Sequence, residues 1–477
     1  MSLGLKKIFK KKGSGADGGD DMPNLHAVED DIEQSKSGLV DEDEEDLGDQ
    51  SNGEHVQARL SLDGDLVERQ RQKLEEAAEV GELALGNDGG AEAIANDPEG
   101  TVHISSEDHE MPVKIGGCGS AGWEPLRGPN RRNSVEIRKE NQDAYCAHAP
   151  FMSFENQLFF GVFDGHGAEG RKISHFARDN VTKILHDTYD SLKIQTTLLD
   201  NESEEKKREV HKARATALRK AFGDTEAKLR SGEQPGIDAL YSGTTTVVCW
   251  FHGPEVYCGW VGDSRCILAR RVTNPSGKDK FKAVDLSYDQ KPTRPDEKKR
   301  IRAAGGRIAR WKKNLGPLRV WLASEWIPGL AMTRSIGDTV LSDSGVVPVP
   351  EVSFVRLSSE DSFIVLASDG VWEFMTSNEV AEFVGKLRRD GVPADAAADT
   401  LVREAVRRWR RNEVVVDDTT CVIIYLDFPH YSSENTAVRG VRGFFRLGKH
   451  GGEKPVLVSP DGKVSAFNPK NDNALGT

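Results

Sequence analysis

FFGVFDGHG, residues 159–167, runs an almost wholly apolar stretch straight into Asp164, Gly165 and His166. Phe and Val in succession, with no polar residue between them, read as a short apolar strand. The Asp-Gly pair that closes it is by itself an ordinary turn signal. The same arrangement recurs along the chain. FIVLASDGVWE (363–373) closes an apolar run on Asp369, and GWVGDSR (259–265) sets Asp263 in a hairpin. NQDAY (141–145) puts Asp143 before a strand, and VVVDDTTCVIIYL (414–426) puts Asp417 before another. A carboxylate next to a buried strand is held by a rigid scaffold yet reaches solvent.

Further strands are expected over 158–163, 244–251, 256–261, 266–269, 352–357, 363–367 and 421–426. Amphipathic helices are expected over 169–192, 204–229, 296–304, 378–387 and 394–410. Strands come in neighbouring groups with helices grouped between them, which favours antiparallel pairing and an α+β fold over a doubly wound parallel sheet. Carboxylates from several strand ends can then converge on one cation. Such hard oxygen ligands suit Mg²⁺ or Mn²⁺, and the lack of Cys or His ligand spacing argues against structural zinc.

Taken in order, ENQDAY, FFGVFDGHG, YSGTTTVV, WVGDSRCIL, PGLAMTRSIGD, ASDGVWEFMTSNEV and VDDTTCVII resemble the type 2C (PPM family) metal-dependent Ser/Thr protein phosphatases, over about residues 135–426. The phrasing of RVWL and PGLAMTRSIGD is similar to plant, algal and protist branches. The resemblance implies a four-layer αββα sandwich, two antiparallel sheets flanked by helices. It also implies hydrolysis of phosphoserine and phosphothreonine in proteins by a hydroxide bridging two Mg²⁺ or Mn²⁺ ions, without a phosphoenzyme. Asp164 then matches the bridging carboxylate, Gly165 lends a carbonyl, Asp369 and Asp417 match ligands of the second ion, and Asp143 holds a metal-bound water. Arg138 matches the residue that grips the substrate phosphate, and His166 the general acid. Asp263 and Glu373 fall where the family can hold a third, weaker ion; Glu373 replaces the usual Asp. Gln142 stands where many members have Glu, keeping an oxygen donor but losing a charge.

Other motifs carry less. SGTTT (242–246) reads as a core strand start, Arg334 and Asp338 as shaping the cleft, and Ser134 in RRNS as a basophilic kinase target. GDS with Ser264, Asp427 and His430 imitates an esterase triad, but more than one hundred domain residues precede the serine. DGDLV at 63–67 matches a dehalogenase-type phosphatase motif, yet lies in an acidic tail with no strand before it. The rival of another class is a silent pseudophosphatase that only binds phosphoproteins, and loss of metal ligands would mark it.

The 477 residues carry a net charge of -13, very unevenly spread. Residues 1–16 hold five lysines, residues 17–110 hold 29 acidic and 5 basic residues, and the remainder is +6. The acidic stretch has too little apolar surface to fold alone, so 1–110 reads as a disordered tail, with a loose helical pattern at 63–85. Residues 111–430 read as the catalytic domain and 431–477 as a flexible tail. The acidic N-terminal tail is expected to fold back electrostatically over the basic domain as a weak autoinhibitor. No apolar run suits membrane insertion, the basic start lacks a signal-peptide core, and six cysteines form no CxxC pair. Cytoplasm or nucleus, a monomer, phosphoprotein substrates and no nucleic acid are the resulting expectations.

Overall fold

The computed structural model describes residues 101–106, 109–126, 135–151, 157–192, 202–232, 236–273, 279–311, 315–427, 454–461 and 463–467. The acidic stretch before residue 101, the helical pattern at 63–85, Ser134 and His430 lie outside the described residues.

In chain order the first elements are β1 (Thr101–Ser106), β2 (His109–Ser120), β3 (Trp123–Leu126), β4 (Val135–Arg138), β5 (Asp143–His148) and β6 (Gln157–His166). Two long helices follow, α1 (Gly170–Leu192) and α2 (Glu204–Ser231). Next come β7 (Gly243–Thr244), β8 (Thr246–His252), β9 (Glu255–Val261), β10 (Arg265–Thr273), β11 (Asp279–Asp285) and α3 (Pro295–Ala303). The strands β12 (Arg307–Trp311), β13 (Leu315–Trp321) and β14 (Pro328–Leu330) precede β15 (Ile336–Gly337), β16 (Glu351–Arg356) and β17 (Asp361–Ala367). The chain continues through α4 (Asp369–Trp372), α5 (Ser377–Arg389), α6 (Ala394–Asn412), β18 (Thr419–Leu426), β19 (Val456–Val458) and β20 (Val464–Ala466).

Two large antiparallel sheets dominate. One has the order β1-β2-β18-β17-β10-β11; the other runs β15-β7-β6-β8-β9-β16-β19-β20, with β5 on the free side of β6. The strands are apolar on both faces because both faces are covered. Leu158, Phe160 and Val162 of β6 join Val247, Cys249 and Phe251 of β8 in a core shared with Leu268, Ile364, Leu366, Val422 and Ile424 of the first sheet. Their neighbours Phe159, Phe163, Val248 and Trp250 point the other way, onto Phe176, Leu185, Leu218 and Phe222 of α1 and α2. On the opposite side Phe363, Val365, Cys421 and Ile423 pack under Val380, Val384, Leu401 and Val402 of α5 and α6. Period-two alternation thus builds the helix, sheet, sheet, helix order, and each fully buried large apolar side chain contributes about 1.5–3 kcal/mol.

The helices stop and start where their caps dictate. Ser203 accepts a hydrogen bond from the Lys206 N–H at the start of α2, and Gly232 in left-handed conformation (φ 70°) ends it. Thr376 and Glu379 form a reciprocal capping box on α5.

Ordered structure exceeds the expected domain limits at both ends. β1 pairs with β2 from Thr101 onward, ten residues before the expected boundary, because the β-prone TVHIS lies inside an acidic stretch whose composition hides it. The stretch expected to be a flexible C-terminal tail contains the β19–β20 hairpin, which extends the second sheet beside β16. Phe467 meets Trp260 edge-on with ring centroids 6.0 Å apart. The SPDGK turn between those strands is the local signal for this hairpin.

Candidate active site

All five acidic motifs lie at one end of the two sheets. Asp143 opens β5 and is paired directly across the ladder with Asp164 near the end of β6. Asp263 follows β9, Asp369 follows β17, and Asp417 precedes β18. Gly165 sits where backbone crowds it: a Cβ there would stand 2.3 Å from the Gly170 carbonyl oxygen and 2.5 Å from that of Gln142. Only glycine brings a carbonyl this close beside Asp164.

Burial and mutual repulsion strain these carboxylates electrostatically. Burial, then the charge of Asp418, pushes the Asp143 pKa up to about 7. Asp164 and Asp369 are raised well above the ordinary carboxylate range, first by burial and then by neighbouring aspartates. Asp143 Oδ1 and both Asp263 oxygens are buried without a hydrogen-bond partner among the described residues. Asp143 Oδ2 is held by the Ser368 hydroxyl at 2.9 Å. Orphaned buried oxygens beside like charges are the electrostatic signature of a divalent cation site. Among the described residues no three His, Cys, Asp or Glu side chains already surround one point as they would in a closed metal cage.

Two lysines meet these carboxylates. Lys139 donates to Asp417 Oδ1 at 2.7 Å, which outweighs the effect of burial and holds the Asp417 pKa below its usual value. Lys291 lies 3.3 Å from Asp263 Oδ2, and that carboxylate is the main reason its pKa is raised. Glu373 is exposed at the end of α4, where its N–H bonds the Asp369 carbonyl at 2.9 Å. Arg138 ends β4 with an exposed side chain and makes no ion pair with the cluster among the described residues.

His166 Nε2 lies 2.7 Å from Asp338 Oδ2, and Asp338 also accepts from the Ser335 hydroxyl at 2.6 Å. Burial opposes a charged imidazole, but the Asp338 carboxylate prevails and the His166 pKa is raised. Asp338 occupies left-handed backbone at φ 49°, the sole non-glycine residue among those described to do so. Such a conformation persists where surrounding bonds enforce it.

A family model described as Protein phosphatase 2C matches residues 131–414, the span that holds all of these groups but Asp417 and Asp418. The chain belongs to the protein phosphatase 2C family. It is similar to Probable protein phosphatase 2C 35 of Arabidopsis thaliana, 34% identical over 349 residues covering 69% of this chain and 88% of that one. Probable protein phosphatase 2C 73 of Oryza sativa subsp. japonica is 35% identical over 315 residues, 62% of this chain and 72% of the relative. Among solved structures, serine-threonine phosphatase 2C from Toxoplasma gondii shares the fold at TM-score 0.53 and 22% identity, covering 69% of this chain and 99% of that chain. Plant relatives are among those the motifs lead one to expect.

Several groups of this protein phosphatase 2C site escape motif reading. Asp418 accepts the N–H of Gly122 at 2.7 Å and that of Gln142 at 3.0 Å, so the second acid of the VDD doublet ties the loops before β3 and β5 together. Gln142 donates its amide to the Gly167 carbonyl at 2.8 Å. Its backbone carbonyl also accepts from Ser174 at 2.6 Å. Here it is a staple. Arg319 on β13 feels the charges of Asp263 and Asp369 and donates to the Gly329 carbonyl at 2.7 Å. In the sequence it is one basic residue among many in a stretch without periodicity.

Proposed function

We propose that this phosphatase removes phosphate from phosphoserine and phosphothreonine in proteins, using Mg²⁺ or Mn²⁺ and water as the nucleophile. The supporting observation is the convergence of Asp143, buried, and of Asp164, Asp369 and Asp417, partly buried, at one sheet end, mutually repelling and oxygen-only. Asp164, the Gly165 carbonyl, Asp369 and Asp417 would hold two ions, and Asp143 would orient a water of the first. When bound, two such ions lower the pKa of a water and offset charge on the attacking and leaving oxygens. No Ser, Thr or Cys nucleophile takes part in this scheme.

The remaining work belongs to protein side chains. Arg138, exposed beside the cluster's loop, offers a guanidinium fork suited to bidentate phosphate contact. His166, held by Asp338 and disposed toward its protonated form, donates a proton to the departing seryl or threonyl oxygen. Every carboxylate of the two-ion set is present, which favours an active enzyme over a silent binding module. Phosphate release from a phosphothreonine peptide should stop on chelation, return with Mg²⁺ or Mn²⁺, and be abolished in Asp164→Asn and Asp369→Asn. Turnover that survives chelation or either substitution would sink this reading.

A further inference from the structure

The third-ion corner is built differently from the rest of the site. Asp263 is 1% exposed, and neither of its oxygens accepts a hydrogen bond among the described residues. A carboxylate in that condition needs a cation. Glu373, its expected co-ligand, is exposed. What stands against Asp263 is the ammonium of Lys291, 3.3 Å from Oδ2.

Backbone lacing sets that approach. Gly262 directly precedes Asp263 and Gln290 directly precedes Lys291. The Gly262 N–H donates to Gln290 Oε1 at 2.8 Å, and the Gln290 N–H donates to the Gly262 carbonyl at 2.9 Å. Gln290 is fully buried, its Nε2 donates to Glu351 at 2.9 Å, and its carbonyl accepts both the N–H and the hydroxyl of Thr333 at 2.8 Å. The Lys291 carbonyl accepts from the Arg294 N–H at 3.0 Å. The residues after 262 and 290 therefore emerge side by side from a fixed double bond. Of the other acids whose charges reach Lys291, which are Asp289, Asp369 and Glu373, Asp289 acts most strongly and is engaged by Arg265, whose Nε and Nη2 each donate at 2.8 Å. Asp263 is left as the direct partner of Lys291.

We propose that Lys291 is the resident cation of this corner, taking the place of a third divalent ion, so that the chain holds two ions and none at Asp263. The inference rests on the two-ion reading above. An ammonium neutralises Asp263 but carries no coordinated water, so any acid or base chemistry a third ion could add is absent from this enzyme.

Metal stoichiometry decides it. Metal-stripped full-length chain is titrated with Mn²⁺ and bound ions are counted by equilibrium dialysis. Wild type, Lys291→Arg and Asp263→Asn should each bind two, whereas Lys291→Met, with Asp263 freed, should gain a third and weaker one. Three ions in wild type with one lost in Asp263→Asn would overturn the inference while leaving the two-ion reading intact. A natively folded Lys291→Met that still binds two would also overturn it. If Lys291→Met fails to fold, the wild type and Asp263→Asn counts decide alone. Fewer than two ions in wild type would overturn the two-ion reading itself, and the inference with it.

Discussion

Asp143 and Asp164 face each other across the β5–β6 ladder, and two like charges directly opposite on neighbouring strands destabilise a sheet. The proposed two-ion centre would account for their placement, because a bound cation would relieve the repulsion. His166 is the complementary case, a side chain held ready by one neighbour, Asp338. If it is the general acid, its loss should matter in proportion to how badly the leaving group needs a proton. His166→Gln should slow hydrolysis of a phosphothreonine peptide by about 10²–10⁴-fold. Hydrolysis of p-nitrophenyl phosphate, whose nitrophenolate leaves unprotonated, should fall far less. Equal losses on both substrates would show that His166 acts structurally.

At the scale of elements, α3 is pinned to the cleft by a buried ionic knot. Glu297, fully buried, binds Arg300 through two bonds of 2.7 and 2.8 Å and Arg334 at 2.6 Å, and accepts the Thr333 hydroxyl. Burial pushes its pKa up, but the two guanidiniums overcome this and hold it far below the ordinary carboxylate range. A depressed folded pKa stabilises above the unfolded value of about 4.3, and that stability is lost as pH falls toward the folded value. Glu297→Gln strands Arg300 and Arg334 and should cost about 3–5 kcal/mol at pH 7. By urea unfolding, the gap from wild type should narrow below about pH 4; a gap unchanged between pH 7 and pH 3.5 would contradict this role. Arg334, read from the sequence as shaping the cleft, is tied into this knot. The strands at 158–163, 363–367 and 421–426 were legible because each is apolar on both faces and long enough to stand out. β11, the β12–β14 hairpins and β19–β20 were not, since they are short or bury one face only. The candidate carboxylates were legible from their place at strand ends, before or after an apolar run. Lys139, Lys291 and Arg319 were not, because a basic residue in a charged sequence gives no sign of which acid it will meet in space.

At the scale of the whole molecule, the charge of -13 divides into a strongly acidic stretch at 17–110 and a domain that is mildly basic. Among the described residues no helix is long and apolar enough to cross a membrane. A net positive domain would attract phosphoproteins, and if the acidic stretch competes for the same field it would act as a charge-based inhibitor. Deleting 17–100, which spares β1, should raise turnover at low ionic strength more than at high, because the Debye length shrinks from about 30 Å at 0.01 M to about 8 Å at 0.15 M. An equal effect at both would reject autoinhibition by charge. The central claim, that the carboxylate end of the two sheets is a two-ion centre, is tested most directly by an anomalous difference map from a crystal of the protein grown with Mn²⁺. The account predicts two peaks sharing Asp164, one of them also bound by Asp369 and Asp417, and none at Asp263. No peak at Asp164, with Lys139 and Lys291 still seated on their aspartates, would contradict it.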